Sequence, residues 1–560
     1  MFTKQDLQEL DRKIDSSIET QSLFSEPRDI ALVHLLRYFE DYVRLYAPKS
    51  LGPESHQVAI KKGQDGMQFA VQWIFRYCPL PVSQRSYKTH NGIYRQAHDL
   101  HELAMDYSII WDLLSMLWRK RAVAERETDG TIRIEYVNQL AADGEIADRF
   151  IGTSSPGVSS LNLLNSAANP QNFVQNIKTQ SDNKGNVKYL VPTPTFNDVA
   201  ASWRNLASSQ LWELGETWDL GGYTVSQFRQ FYIGLLTLCW IHFWACFSSG
   251  KQGGDLDNTV IILPKEEWTE RISRNCGIET NITGAILNDL IYDSGLYKSN
   301  AKQPDVTYQP FFSLHSDLLV LSNWLVLLSS HERNIWDLVS IKRPRIHSVL
   351  RNNKEQIWLR ELKPLLKSYG LSPYGPIKFN FDSQGSDLDL LVLDRTTKFG
   401  LCCQLKWLTT PDRIRDVKYT EDELNNGLAQ AQLSLRWITS LPAELQSLTG
   451  LCSHELQQYK FQALVLSKNT IGSGWVYLRG IPIVNERLLT WVLGEPLHKS
   501  LQTLWQVGEE RRYLPKRGKH FIDKDIKVSF AGVTLLGKNM GAKLIGSWEP
   551  VQDIDLAGLS

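Results

Sequence analysis

The chain has 560 residues with 61 basic and 61 acidic side chains, so its formal charge is zero. No global excess of positive charge draws it to nucleic acid or anionic lipid; any such attraction has to be local. Seven scattered cysteines, none spaced as CxxC, argue against a disulfide framework and a zinc site and fit a reducing compartment.

The polar, helix-forming start MFTKQDLQELDRKIDSS is unlike a secretory signal, which makes a cytoplasmic protein the expectation. Residues 1–152 read as a helical domain, with apolar spacings of three and four in 30–46 and 103–121. HDLHE puts His98, His101 and Glu102 on one helical face, a spacing that suits either a metal or a plain solvated face. Residues 153–200, rich in Ser, Asn, Gly and Pro, read as a polar linker or insertion.

A second helical region with a short β segment is expected over 201–345. Thr224 and Gln227 form a capping-box pattern, and the run FYIGLLTLCWIHFWACF (231–247) reads as a helix buried all round rather than a membrane span, with His242 a core histidine. The apolar runs of 308–330 suggest strands about a turn at His315–Asp317. Lys342, Arg343, Arg345, Arg351 and Lys354 follow in a basic stretch that serves either as a solvated connection or as an edge contacting phosphates.

From residue 355 helix and strand signals alternate. EQIWLRELKPLLKSYG (355–370) is an amphipathic helix stopped by Gly370. LDLLVLD (388–394) and LCCQLKW (401–407) are strands about a short polar turn. The run 421–441 is a helix, 461–468 and 481–485 are strands, and ERLLTWVLG is a helix. The second half is therefore α/β with a mixed sheet. Within the hairpin, Asp387 shares a face with Asp389, and Gln404 with Lys406, because side chains two apart in a strand point the same way. Leu388, Leu390, Val392, Cys403 and Leu405 are expected on the opposite face. The residues alone leave two readings of this convergence open. One is a strand-edge ion pair between Lys406 and Asp389; the other is a functional site whose buried charges need a partner or a metal.

The order helix, S-D-L-D-L-L-V, turn, Q-L-K, helix resembles the PD-(D/E)XK nuclease superfamily, whose core is αβββαβ, over about 355–490. The resemblance implies a restriction-endonuclease-like domain at 346–495, preceded by the mainly helical region and followed by an extension at 496–560. It implies that Asp389 is a metal ligand, that Gln404 and Lys406 form the E/Q-x-K element, and that Glu361 is a further acidic residue, with Glu355 the alternative. Gln404, the backbone carbonyl of Leu405 and Glu361 would join Asp389 around Mg²⁺ or Mn²⁺, with Lys406 acting on the phosphate. Asp387, Gln430 and Gln432 are possible additions. Glutamine in place of the usual glutamate resembles the Mrr-like branch.

The expected activity is metal-dependent hydrolysis of double-stranded DNA, in a setting such as restriction or antiviral defence, with further protein partners or a homo-oligomer and no membrane. The alternative is a catalytically inactive nuclease fold acting as a DNA-binding or assembly module, or a helical scaffold unrelated to nucleic acid. The basic run at 342–354 and the group Arg511, Arg512, Lys516 and Arg517 are the candidate nucleic-acid contacts.

Overall fold

Apolar side chains at spacings of three and four make helices of most of the first half of the chain. The computed structural model describes residues 2–46, 53–81, 87–154, 178–181, 187–209, 214–248, 256–296, 305–408, 414–469, 474–494, 500–514 and 516–545. It begins with α1 (Lys4–Ile18), α2 (Arg28–Tyr46), α3 (Pro53–Tyr77) and α4 (Asn91–Trp118). Strands β1 (Ala122–Arg126) and β2 (Ile132–Tyr136) and helix α5 (Gln139–Ser154) follow, so the first region is not wholly helical.

Most of the stretch expected as a linker, 155–177 and 182–186, lies outside the described residues. Around it, β3 (Lys178–Ser181) pairs with β4 (Val187–Leu190), and helix α6 (Thr193–Ser209) begins before position 200.

Helix α7 (Val225–Ser248) opens with the capping box its sequence indicates: Thr224 donates its N–H to Gln227 Oε1 at 2.8 Å, and Gln227 donates its own to Thr224 Oγ1 at 3.2 Å. No residue of 231–246 is exposed. His242 is held at both ring nitrogens, by the Asn258 carbonyl at 2.7 Å and the Tyr189 hydroxyl at 3.0 Å, and burial pushes its imidazole down to about 4. No helix among the described residues is long and apolar enough to cross a membrane.

Strand β5 (Ile261–Pro264), helices α8 (Lys265–Cys276) and α9 (Thr280–Leu290), and strands β6 (Phe311–Ser313) and β7 (Leu318–Leu321) come next, with β7 pairing both β5 and β6. The run expected to continue as strand instead forms α10 (Asn323–Leu327), because Glu40 reaches over from α2 and satisfies the N–H of Trp324 at 3.0 Å and the hydroxyl of Ser322 at 2.6 Å. Helix α11 (His331–Lys342) then leads to α12 (Pro344–Ser368). Pro344 at the first turn fits a helix start, so most of the basic run belongs to α12 and is not a loop.

After α12 come β8 (Ser372–Tyr374), the hairpin β9 (Ile377–Phe381) and β10 (Gln384–Leu388), β11 (Leu390–Asp394) and β12 (Phe399–Lys406). Then follow α13 (Ile414–Thr439), α14 (Ala443–Thr449), α15 (Ser453–Gln457), β13 (Lys460–Ser467), β14 (Ile483–Asn485), α16 (Glu486–Gly494) and α17 (Leu501–Glu509). Five strands form a mixed sheet ordered β14-β13-β12-β11-β8, with β12, β13 and β14 parallel and β11 antiparallel to β12 and β8.

Helices cover both faces of this sheet. Leu390, Val392, Cys403 and Leu405 pack on α12, α16 and α17, whereas Leu391, Leu393 and Cys402 pack towards α13 and Ala463 and Val465 lie against its Leu424 and Leu428. Leu388 sits with the second set rather than the first, because the strand breaks at Asp389 between β10 and β11.

The last strands, β15 (Phe521–Phe530) and β16 (Val533–Leu544), do not form a free extension. β16 runs parallel to β2, with Leu535 beside Ile132, in a sheet ordered β1-β2-β16-β15, and Val528, Phe530 and Leu535 join the core of the N-terminal region.

Candidate active site

The break at Asp389 decides the site. The pairing Leu390↔Cys403 brings Asp389 opposite Gln404. Gln404 donates Nε2–H to Asp389 Oδ2, and the Leu405 N–H donates to the same oxygen at 2.8 Å. Gly375, at φ +106, allows the chain to pass this junction: a Cβ there would lie 2.9 Å from the Asp389 carbonyl oxygen. Burial pushes the Asp389 carboxyl up to about 7; the Leu405 N–H opposes this, Asp387 and Glu355 add to it by repulsion, and Lys406 opposes it.

Lys406 is 8% exposed and lies on the same side of β12 as Gln404. Its amine does not pair with Asp389 but donates to Gln430 Oε1 of α13 at 3.0 Å. One turn earlier on that helix, Gly427 makes room for the lysine stem, since a Cβ there would stand 3.1 Å from Lys406 Cε. Gly427 has its own signal in the sequence, since a glycine inside the helical pattern NNGLAQA marks close packing.

The acidic residue of α12 that belongs with these groups is Glu355. Burial raises its carboxyl, Lys406 and Arg351 lower it, and Glu423 and Asp387 raise it, so it shares the field of Asp389. Glu361 does not join them. Six residues on, it points about 240° around the helix and is exposed, 3.6 Å from Lys468, whose amine is 2.7 Å from Glu486. Asp387 is half-buried in β10 opposite Lys378. Gln430 faces the site, whereas Gln432, about 200° further round α13, is exposed.

Most of the basic candidates already have acidic or aromatic neighbours. Lys342 and Arg343 hold Asp289 at 3.2 and 2.6 Å, Arg351 holds Glu423, Arg512 holds Glu510, and Arg517 holds Asp143 and Asp523. Arg511 lies over the Tyr477 ring at 4.4 Å. Lys354 is buried between tryptophans. Arg345 and Lys516 are exposed, with no ion pair among the described residues. The sequence hides these pairings because every acidic partner but Glu510 and Asp523 comes from a distant element.

His98, His101 and Glu102 do not converge either. His98 pairs with Asp99 at 2.9 Å, Glu102 accepts from the Tyr38 hydroxyl at 3.4 Å, and His101 is fully buried on the Gly63 carbonyl at 2.9 Å, its imidazole pushed down to about 4.

Among the described residues no group of three His, Cys, Asp or Glu side chains could hold a metal ion. The donors around Asp389 are of a different kind. Gln404 Oε1 is buried with no hydrogen-bond partner, and half a turn of the amide would bring it to the Asp389 side. The Lys406 carbonyl accepts from the N–H of Lys468, just past the end of β13, so the Leu405 carbonyl, one residue back, faces the β11 side where Asp389 lies. One carboxylate and two neutral oxygens under the field of Asp387 and Glu355 suit a hard cation that keeps several waters. Compared with protein-family models, curated proteins and solved structures, the chain matches none.

Proposed function

We propose that the chain is a metal-dependent endonuclease that hydrolyses phosphodiester bonds in DNA. The observation that carries this reading is the convergence of Asp389, Gln404 and Lys406 at the break between β10 and β11, inside the field of Glu355. The order of the elements supports it, because once the separate hairpin β9–β10 and the short helices α14 and α15 are set aside, α12, β8, β11, β12, α13 and β13 follow the αβββαβ pattern of the PD-(D/E)XK nucleases that the sequence resembles. Restriction or defence against foreign DNA is the setting that resemblance suggests.

Asp389 Oδ1, Gln404 Oε1 and the Leu405 carbonyl would hold Mg²⁺ or Mn²⁺, with Glu355 rather than Glu361 as the acidic neighbour. When bound, the cation supplies Lewis-acid polarisation of the phosphodiester and a lowered pKa for water. The chain's own part is positioning. Lys406, poised by Gln430, donates to a non-bridging phosphate oxygen as negative charge grows there. The Leu405 N–H holds Asp389 Oδ2 and so orients the carboxylate, while the amide of Gln404, once turned, would present Oε1 in place of Nε2. Of the basic residues singled out in the sequence, Arg345 and Lys516 are the exposed ones without an ion pair among the described residues, and they are the candidates for phosphate contacts.

The second reading, a nuclease fold that binds DNA without cutting it, draws on Gln404, which contributes no negative charge, and on the two hydrogen bonds already made to Asp389 Oδ2. Incubation of the full chain with plasmid DNA and Mg²⁺ or Mn²⁺, beside Asp389→Ala and Lys406→Ala, separates the two. Nicking or linearisation lost in both variants is the expected result. Cleavage that persists in both overturns the site assignment, and binding without cleavage in the wild type favours the second reading.

A further inference from the structure

Helix α13 carries more than Gln430. Near its start Glu421, 7% exposed, forms an ion pair with Arg121, which stands between α4 and β1 in the N-terminal region and is equally buried. Glu145 of α5 lies 3.6 Å from the same guanidinium, and the cation sits over the Trp475 ring at 5.4 Å, while Trp475 donates its indole N–H to Glu145 at 3.2 Å. Three charges buried together hold only while they remain paired, so this contact fixes its geometry strongly.

The backbones meet closely beside it. A Cβ on Gly144 would lie 2.5 Å from Gly474 Cα, and one on Gly474 would lie 2.2 Å from the Ala141 carbonyl oxygen. Helix α5 is therefore seated directly on the chain that follows β13.

Along α13 the next contacts are Glu423 with Arg351, then Gly427 against the stem of Lys406, then Gln430 with its amine. From Glu421 to Gln430 is roughly 13 Å of continuous helix at about 1.5 Å per residue, and a displacement at one end is carried to the other. We infer that Arg121 is a positioning residue for Lys406, acting through Glu421 and α13, so that the N-terminal region holds the site in its working arrangement. This rests on the reading of Lys406 as a functional lysine.

The test uses the full chain, with Arg121→Ala, Arg121→Lys and Glu421→Gln compared with wild type. Two readouts are taken below the unfolding temperature: the rate at which an amine reagent labels Lys406, followed by mass spectrometry, and kcat and KM for plasmid cleavage. Arg121→Ala and Glu421→Gln should change the labelling rate and lower kcat by about 10- to 100-fold with KM little altered, and Arg121→Lys should recover most of both. Unchanged labelling and kcat in folded Glu421→Gln, a near-isosteric change chosen in case Arg121→Ala does not fold, would overturn the inference. Should the wild type not cleave DNA at all, the endonuclease reading fails while the labelling comparison still decides this one.

Discussion

The ammonium of Lys354 lies 4.7 Å from the ring centroid of Trp407, the residue that follows Lys406, and 4.7 Å from Trp336 on the other side. Trp336 belongs to α11 and Trp407 directly follows β12, so a cation 2% exposed links the helical half to the end of the sheet. Lys354→Met keeps the stem and removes the charge. It should destabilise the fold by about 2 kcal/mol, the size of a desolvated cation–ring contact. Urea denaturation at low and high salt checks this. The loss should persist in salt because a buried contact is poorly screened, and a variant as stable as wild type would remove the contact from the account.

Gly427 separates stability from activity. Gly427→Ala removes a helix-interior glycine, which alone favours the helix by about 1 kcal/mol, but brings a methyl to 3.1 Å from Lys406 Cε and 3.4 Å from Val465 Cγ1. Because the unbranched lysine stem can change rotamer while Val465 is fully buried in the core, the expected outcome is a shifted Lys406, unchanged or slightly higher Tm, and cleavage lowered by about 10-fold or more. Thermal unfolding and plasmid cleavage on the same preparation check it; equal loss of both would mean the methyl disrupts the core instead.

The parts legible in the sequence are those set by short-range periodicity. Alternation in the strands brought Gln404 and Lys406 to one face, and the hairpin turn brought Asp389 across from Gln404, because both relations depend on neighbours within twenty residues. The choice between Glu355 and Glu361 was not legible. It depends on the rotation of α12, which its packing against the sheet and α11 fixes, and the helix began eleven residues before its amphipathic signal did. The basic run looked available because its partners, Asp289 and Glu423, lie far away in the chain. The pairing of β2 with β16 was hidden for the same reason, since nothing local to Ile132 announces Leu535.

That rotation is itself testable. Glu355→Ala removes the carboxylate that shares the field of Asp389 and should lower cleavage by about 10²-fold or more. Glu361→Ala should leave cleavage and stability near wild type, because Lys468 keeps Glu486 at 2.7 Å and an exposed ion pair adds little. Parallel kinetics decide between the two glutamates, and a loss confined to Glu361→Ala would reverse the assignment.

Asp389 links the site to pH. Its carboxyl titrates at about 7 when folded and near 3.9 when unfolded. Between those values the folded chain binds the extra proton, so the contribution of Asp389 to stability is largest below pH ~4 and is lost as pH rises towards ~7, then stays level. Asp389→Asn removes the slope. Its Oδ1 can take the place of Oδ2 and accept from both the Leu405 N–H and Gln404 Nε2, without the charge that burial disfavours. The variant should therefore be more stable than wild type at pH 8, by on the order of 1–3 kcal/mol, and no more stable at pH 4. Added Mg²⁺ or Mn²⁺ should raise the Tm of wild type at pH 8, less at pH 5 where protons compete for the carboxylate, and not at all in Asp389→Asn. Thermal shifts across this grid of pH and cation check both halves, and a cation-induced shift that survives in Asp389→Asn would remove this carboxylate from cation binding.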